Sequence, residues 1–154
     1  MKPRMVLALS LAAAGLIVAG CGSDSSSSTT TAALTKSEFL AKGNAICAKG
    51  NKEINQAANQ TFQNNQKPSA SEVNEFATKT LIPSIQEQIN GIKALPAPSG
   101  DEAQVTAIVT GAQEALDKAK ANPKLLTQNS STDPFADVNK LTNAYGLTKC
   151  GGGG

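Results

Sequence analysis

Between Thr35 and Cys150, apolar residues recur at three- and four-residue intervals, the spacing of helices that bury one face. No segment alternates with the period of two that marks a half-buried strand. Thr35 and Glu38 stand at capping-box separation, and behind them Phe39, Ile46, Ile54 and Ala57 share a face. This first helix is expected to fade between Gln60 and Asn64. Gly43 and Gly50 lie inside it, each costing about 1 kcal/mol relative to alanine while allowing a neighbour to approach closely. A second box, Ser69 to Glu72, opens helix two, with Val73, Phe76, Ala77, Thr80 and Leu81 as its first stripe. Pro83 predicts a kink or break, because it lacks an N–H and crowds the preceding turn. Beyond it, Ile82, Ile85, Ile89 and Ile92 form a stripe rotated by roughly 100°.

A third box, Ser99 to Glu102, predicts helix three, with Val105, Ile108, Val109, Ala112, Leu116 and Ala119 in a narrow stripe. Asn122–Pro123 stops it. Asp133 and Pro134 then read as cap and first helical position of a short fourth helix. Phe135, Val138, Leu141 and Tyr145 line one side of it, and Gly146 fits a left-handed cap with Leu147 folding back as its hydrophobic contact. The fold class expected is all-α: a small four-helix bundle-like domain with a kinked second helix.

The N-terminus follows a different pattern. Lys2 and Arg4 precede a mostly apolar run, Met5 to Gly20, which is shorter than the roughly 20 residues of a bilayer span. A positive head, an apolar stretch and small residues before a cut site make a secretory signal. Val18–Ala19–Gly20–Cys21 resembles a bacterial lipobox, in which the cysteine receives a diacylglycerol and the peptidase cuts just before it. The polar run GSDSSSSTTT from Gly22 holds no apolar residue and reads as a flexible tether. The expected organisation is a cleaved lipoprotein signal peptide over 1–20 and a lipidated Cys21 with a Ser/Thr-rich tether over 21–34. The helical domain covers 35–150 and a glycine tail 151–154. The chain is then extracytoplasmic and anchored to the bacterial cell membrane by acyl chains (palmitate or similar) on Cys21.

Three cysteines are an odd number, and lipid on Cys21 leaves Cys47 and Cys150. In a compartment that permits disulfides, the expected role of this pair is a structural bridge. A redox or metal pair is the competing reading, although neither cysteine has a second cysteine or a histidine at ligand spacing. The stretch LTKSEFLAKGNAICAKGNKEI and the closing AYGLTKC resemble a group of small, uncharacterised actinobacterial lipoproteins. That group shares the lipobox, the polar tether, a cysteine in the first helix and a Gly-Leu-x-x-Cys ending. The resemblance implies location and architecture and supplies no functional residues.

Composition narrows the chemistry. The 154-residue chain has no histidine and no tryptophan, and only 3% of it is aromatic. Its net charge of +2 comes from Lys2 and Arg4, so the mature side chains sum to zero and lack the basic footprint of a nucleic-acid binder. No catalytic motif, metal-ligand set or cofactor motif is expected, and the chain reads as a non-enzyme. The mature chain holds 21 Asn and Gln, nearly as many as its charged residues. Asn44, Asn51, Asn55 and Asn59 fall within roughly 80° of one another on helix one and are the candidate ligand contacts, for an uncharged polymer such as a cell-wall glycan. The function expected is a helical binding or interaction module of unknown ligand at the cell envelope, with a cell-wall component or an envelope protein as partner. The alternative is a carrier of a small apolar or lipid ligand, held where Pro83 disturbs packing and Gly43, Gly50 and Ala112 leave room.

Overall fold

The computed structural model describes residues 32–63, 67–127 and 133–151. The expected signal segment, the expected lipidation site Cys21, the expected tether up to residue 31 and the last three glycines lie outside the described residues. The elements are α1 (Lys36–Phe62), α2 (Ala70–Phe76), a π-helical turn (Ala77–Leu81), α3 (Ile82–Lys93), α4 (Glu102–Ala121), a 3-10 turn (Pro123–Leu126) and α5 (Ala136–Tyr145). Since α2, the π turn and α3 run on without interruption, the described residues form four helical rods and no strand. None of these helices is long and apolar enough to cross a membrane.

Local chemistry sets the helix ends. In both the Thr35–Glu38 and Ser69–Glu72 boxes, the cap side chain accepts from the N3 amide and the glutamate accepts from the cap amide. The box expected at Ser99 does not form. Gly100 takes a left-handed conformation (φ 89°), Asp101 becomes the cap residue, and Glu102 reaches back to the Gly100 N–H at 2.8 Å. The Asp101 side chain is thereby released for another partner. At Pro83, the helix continues through a widened turn in which the Ile82 N–H reaches the Ala77 carbonyl five residues back. This turn absorbs about one extra residue and so retards the helical phase by roughly 100°, the offset between the two apolar stripes.

α1 packs on α3, α3 on α4 and α4 on α5. The buried core joins Phe39 and Cys47 of α1, Ile92 of α3, Val105 and Ile108 of α4, and Tyr145 and Leu147 at the C-terminus. Along α1 the buried line is Phe39, Gly43, Cys47 and Gly50, with Ile46 and Ile54 half-buried beside it. Both glycines give room: Leu147 and Ile92 lie over Gly43, and the Gln88 side chain lies over Gly50. On α5 the expected apolar side is altered at one position. Leu141 is half exposed, and the inward place goes to Thr142, whose hydroxyl donates to the Val138 carbonyl at 3.1 Å.

The C-terminal turn is bound to α1. After α5, Gly146 (φ 109°) and Leu147 form a Schellman cap, with the Leu147 N–H on the Thr142 carbonyl at 2.8 Å and the Gly146 N–H on the Asn143 carbonyl at 3.1 Å. Leu147 then inserts fully buried against Gly43. Asn44 donates to the Gly146 carbonyl at 3.0 Å and accepts from the Lys149 N–H at 2.9 Å, and Asn51 donates to the Lys149 carbonyl at 2.8 Å. Cys47 and Cys150, 103 residues apart in sequence, complete the attachment as a disulfide.

This attachment has two consequences for stability. A loop of that length is worth about 4.7 kcal/mol in the chain-entropy model, so the Cys47→Ser/Cys150→Ser double variant should lose roughly 3–5 kcal/mol of unfolding free energy. Denaturant titration against wild type, each with and without reductant, checks this, and reductant should affect only the wild type. Gly43→Ala should also destabilise, by about 1–3 kcal/mol, despite its better helix propensity. The added Cβ would stand 2.6 Å from Leu147 Cδ2 and 3.1 Å from Ile92 Cδ1, both in the packed core. A raised thermal midpoint for this variant would contradict that packing.

Candidate functional site

A pocket of about 280 Å³ opens among α1, α3, α4 and α5. Ile54 contributes from α1, and Ile85, Ile89 and Ile92 from α3, the stripe that the π turn brings round. Ile108, Val109 and Ala112 come from α4; Val138 of α5 and Phe135 just before it close the opposite side. The Cys47–Cys150 disulfide and Leu147 form one wall, so the attached C-terminal turn is part of the pocket. Its polar groups are few: the amides of Asn51, Gln88 and Asn139, the self-satisfied Thr142 hydroxyl, and the Asp133 carboxylate. No lysine lines it. Pockets of this kind, apolar with a few placed polar groups, are the usual form of small-molecule sites, and this one lies near the lower end of their volumes.

The structure sorts the four candidate asparagines. The amides of Asn44 and Asn51 are engaged by the chain's own C-terminal backbone, and Asn51 also borders the pocket. Asn55 and Asn59 are exposed farther along α1. Of the small residues expected to leave room, Ala112 lines the pocket, whereas Gly43 and Gly50 are covered by Leu147 and Gln88. Pro83 does not border it; its neighbourhood acts through the phase of α3. A polar network that no sequence spacing reveals joins α3 to α4. Gln86 and Gln113 exchange amide hydrogen bonds at 2.8 and 3.3 Å, and Lys120 donates to Gln86 at 2.7 Å. The Gln113 amide and then Lys120 hold the Asp117 carboxyl below its ordinary value.

A second cluster joins the start of α1, the start of α4 and the end of α5. The Tyr145 hydroxyl donates to Asp101 Oδ2 at 2.8 Å, and Lys36 pairs with the same oxygen at 3.3 Å. The Lys36 ammonium also stands 4.4 Å from the centre of the Tyr145 ring, which meets Phe39 edge-on at 6.0 Å. The Tyr145 hydrogen bond, reinforced by Lys36, lowers the Asp101 pKa. Burial, together with the bond to Asp101, raises that of Tyr145 from 10 to about 12. A phenol held neutral this firmly is a poor acid, so the cluster serves as a tie among three elements.

Because Tyr145 is the only tyrosine, its ionisation can be read directly. Its raised pKa contributes stability that is complete below pH 10 and fades as pH rises through about 12. Asp101 has the opposite sign: its contribution is present above 3.8 and is lost as pH falls through its lowered value. Ultraviolet titration of tyrosinate should give a midpoint near 12 in wild type, and Asp101→Asn should move it towards 10. An unchanged midpoint in the variant would remove Asp101 as a cause.

No protein-family model, curated protein sequence or solved structure matches this chain.

Proposed function

We propose that the chain is a lipid-anchored binding protein of the bacterial cell envelope whose helical domain carries a small apolar ligand in the pocket between α1, α3, α4 and α5. The lipobox ending in Cys21 and the polar tether support the anchoring, with membrane attachment through acyl chains on that cysteine. The pocket carries the ligand assignment. Its floor is built from isoleucine, valine and alanine, and its described polar groups are three amides, the Thr142 hydroxyl and the exposed Asp133 carboxylate. The domain acts by holding its ligand, with no chemical step. Water in so apolar a space gives up hydrogen bonds, so replacing it with hydrocarbon is favourable. A cavity of about 150 Å³ accepts benzene, so about 280 Å³ accommodates on the order of ten non-hydrogen atoms. That matches a medium-length alkyl chain or the end of a longer one.

Calorimetry of the purified helical domain with a series of straight-chain primary alcohols tests the reading. Affinity should rise about fourfold per methylene group from hexanol upward and level off near decanol, where the pocket is full. Ala112→Phe, which places a ring in the cavity, should abolish saturable binding while leaving the helical circular dichroism spectrum unchanged. Absence of saturable binding across the whole series would overturn the proposal.

A further inference from the structure

The polar groups of the pocket say what kind of head the ligand carries, an inference that rests on the apolar-ligand reading above. Three amides from three helices stand along its lining, and each has capacity to spare among the described residues. Asn51 uses its Nδ2 on the Lys149 carbonyl, which leaves Oδ1, and the side chains of Gln88 and Asn139 make no hydrogen bond to a described residue. Gln88 is held in place across the backbone of Gly50, half-buried. Amides both donate and accept, so they suit a hydroxyl, ester or amide head.

Asp133 is the only charged residue among the described residues of the lining, and it is exposed where it borders the pocket. Its Oδ1 already accepts from the Phe135 N–H at 2.9 Å, at the entry to α5. A carboxylate bound here would meet a resident negative charge at the place where a helix start otherwise favours an anion. No lysine stands among the described lining residues to offset that repulsion. We infer that the pocket selects amphiphiles with an uncharged hydrogen-bonding head over those ending in a carboxylate, and that Asp133 sets this preference.

The test pairs octan-1-ol with octanoate at neutral pH in calorimetry, on wild type, Asp133→Asn and Ala112→Phe. An asparagine side-chain oxygen can accept the Phe135 N–H as the aspartate does, so Asp133→Asn removes the charge and keeps that turn. Wild type should bind octanol at least about tenfold more tightly than octanoate, the scale of like charges several ångströms apart at a partly exposed site. Asp133→Asn should strengthen octanoate binding by about that factor and leave octanol binding within twofold. Octanol binding that Ala112→Phe abolishes, but with octanoate equally tight in wild type, would overturn the head-group inference and leave the apolar-ligand reading standing. Octanoate binding that stays weak in Asp133→Asn would overturn it in the same way. If neither compound binds wild type, the apolar-ligand reading itself fails and the inference fails with it.

Discussion

A short C-terminal turn is bound to the middle of the first helix by three kinds of interaction at once, and the remaining packing is arranged around that junction. The Cys47–Cys150 bond is covalent, Leu147 against Gly43 is apolar, and the Asn44 and Asn51 amides satisfy backbone groups of Gly146 and Lys149 in the turn that follows α5. Each compensates for a weakness of the others. The disulfide restricts the unfolded chain but specifies little about register, whereas the leucine fits only where a helix lacks a side chain. The amide bonds fix direction, since Asn44 must donate to one carbonyl and accept from an N–H three residues later. For a domain with a small aliphatic core, a junction between residues so distant in sequence contributes a large share of a net stability that is marginal in any protein.

The second constraint is angular. An uninterrupted α-helix through Ala70–Lys93 would turn the Val73–Phe76–Ala77 face and the Ile85–Ile89–Ile92 face in different directions. The π turn, with Ile82 bonded to Ala77, holds an extra residue and brings them back towards one side. Pro83 immediately after it lacks the N–H that an α-helical bond would need, and a widened turn gives its ring space against the preceding backbone. The result is a long rod whose first part meets the end of α1, where Phe62 and Phe76 stack edge-on at 5.2 Å, and whose second part faces α4 and the pocket.

Much of this was legible in the sequence because it is local. The Thr35 and Ser69 boxes, the Gly146 cap and the phase change at Pro83 each depend on residues within one or two turns. The Ser99 box failed through a competition that spacing does not reveal: a left-handed Gly100 moved the helix start, and Tyr145, 44 residues away, took the Asp101 carboxylate. Likewise, apolar counting places the stripe of α1 on Phe39, Ile46, Ile54 and Ala57; Phe39 is buried, but from there the buried line runs through Gly43, Cys47 and Gly50, with the other three half-buried. A glycine carries no hydrophobic signal, yet it is where Leu147 comes closest. Leu141 and Thr142 exchange places for the opposite reason, because the threonine hydroxyl finds a carbonyl within its own helix and can be buried at little cost.

The pocket was the least legible feature, because its walls come from four elements and none of its residues forms a motif. It exists where the two constraints meet. The C-terminal junction fixes Cys47, Leu147 and Cys150 as one wall, while the phase of α3 fixes Ile85, Ile89 and Ile92 as another. Between them α4 presents Val109 and Ala112, which continue its buried stripe but are only half-buried, since no side chain fills the space before them. Two larger residues at those positions would fill that space and add buried area, as Leu116 does one turn further on, where it is fully buried. A core selected for stability alone would gain by that filling. Instead the space is left open, lined by apolar side chains and bordered by Asn51, Gln88 and Asn139, and the proposed binding of an amphiphile would supply the buried area that the empty fold forgoes.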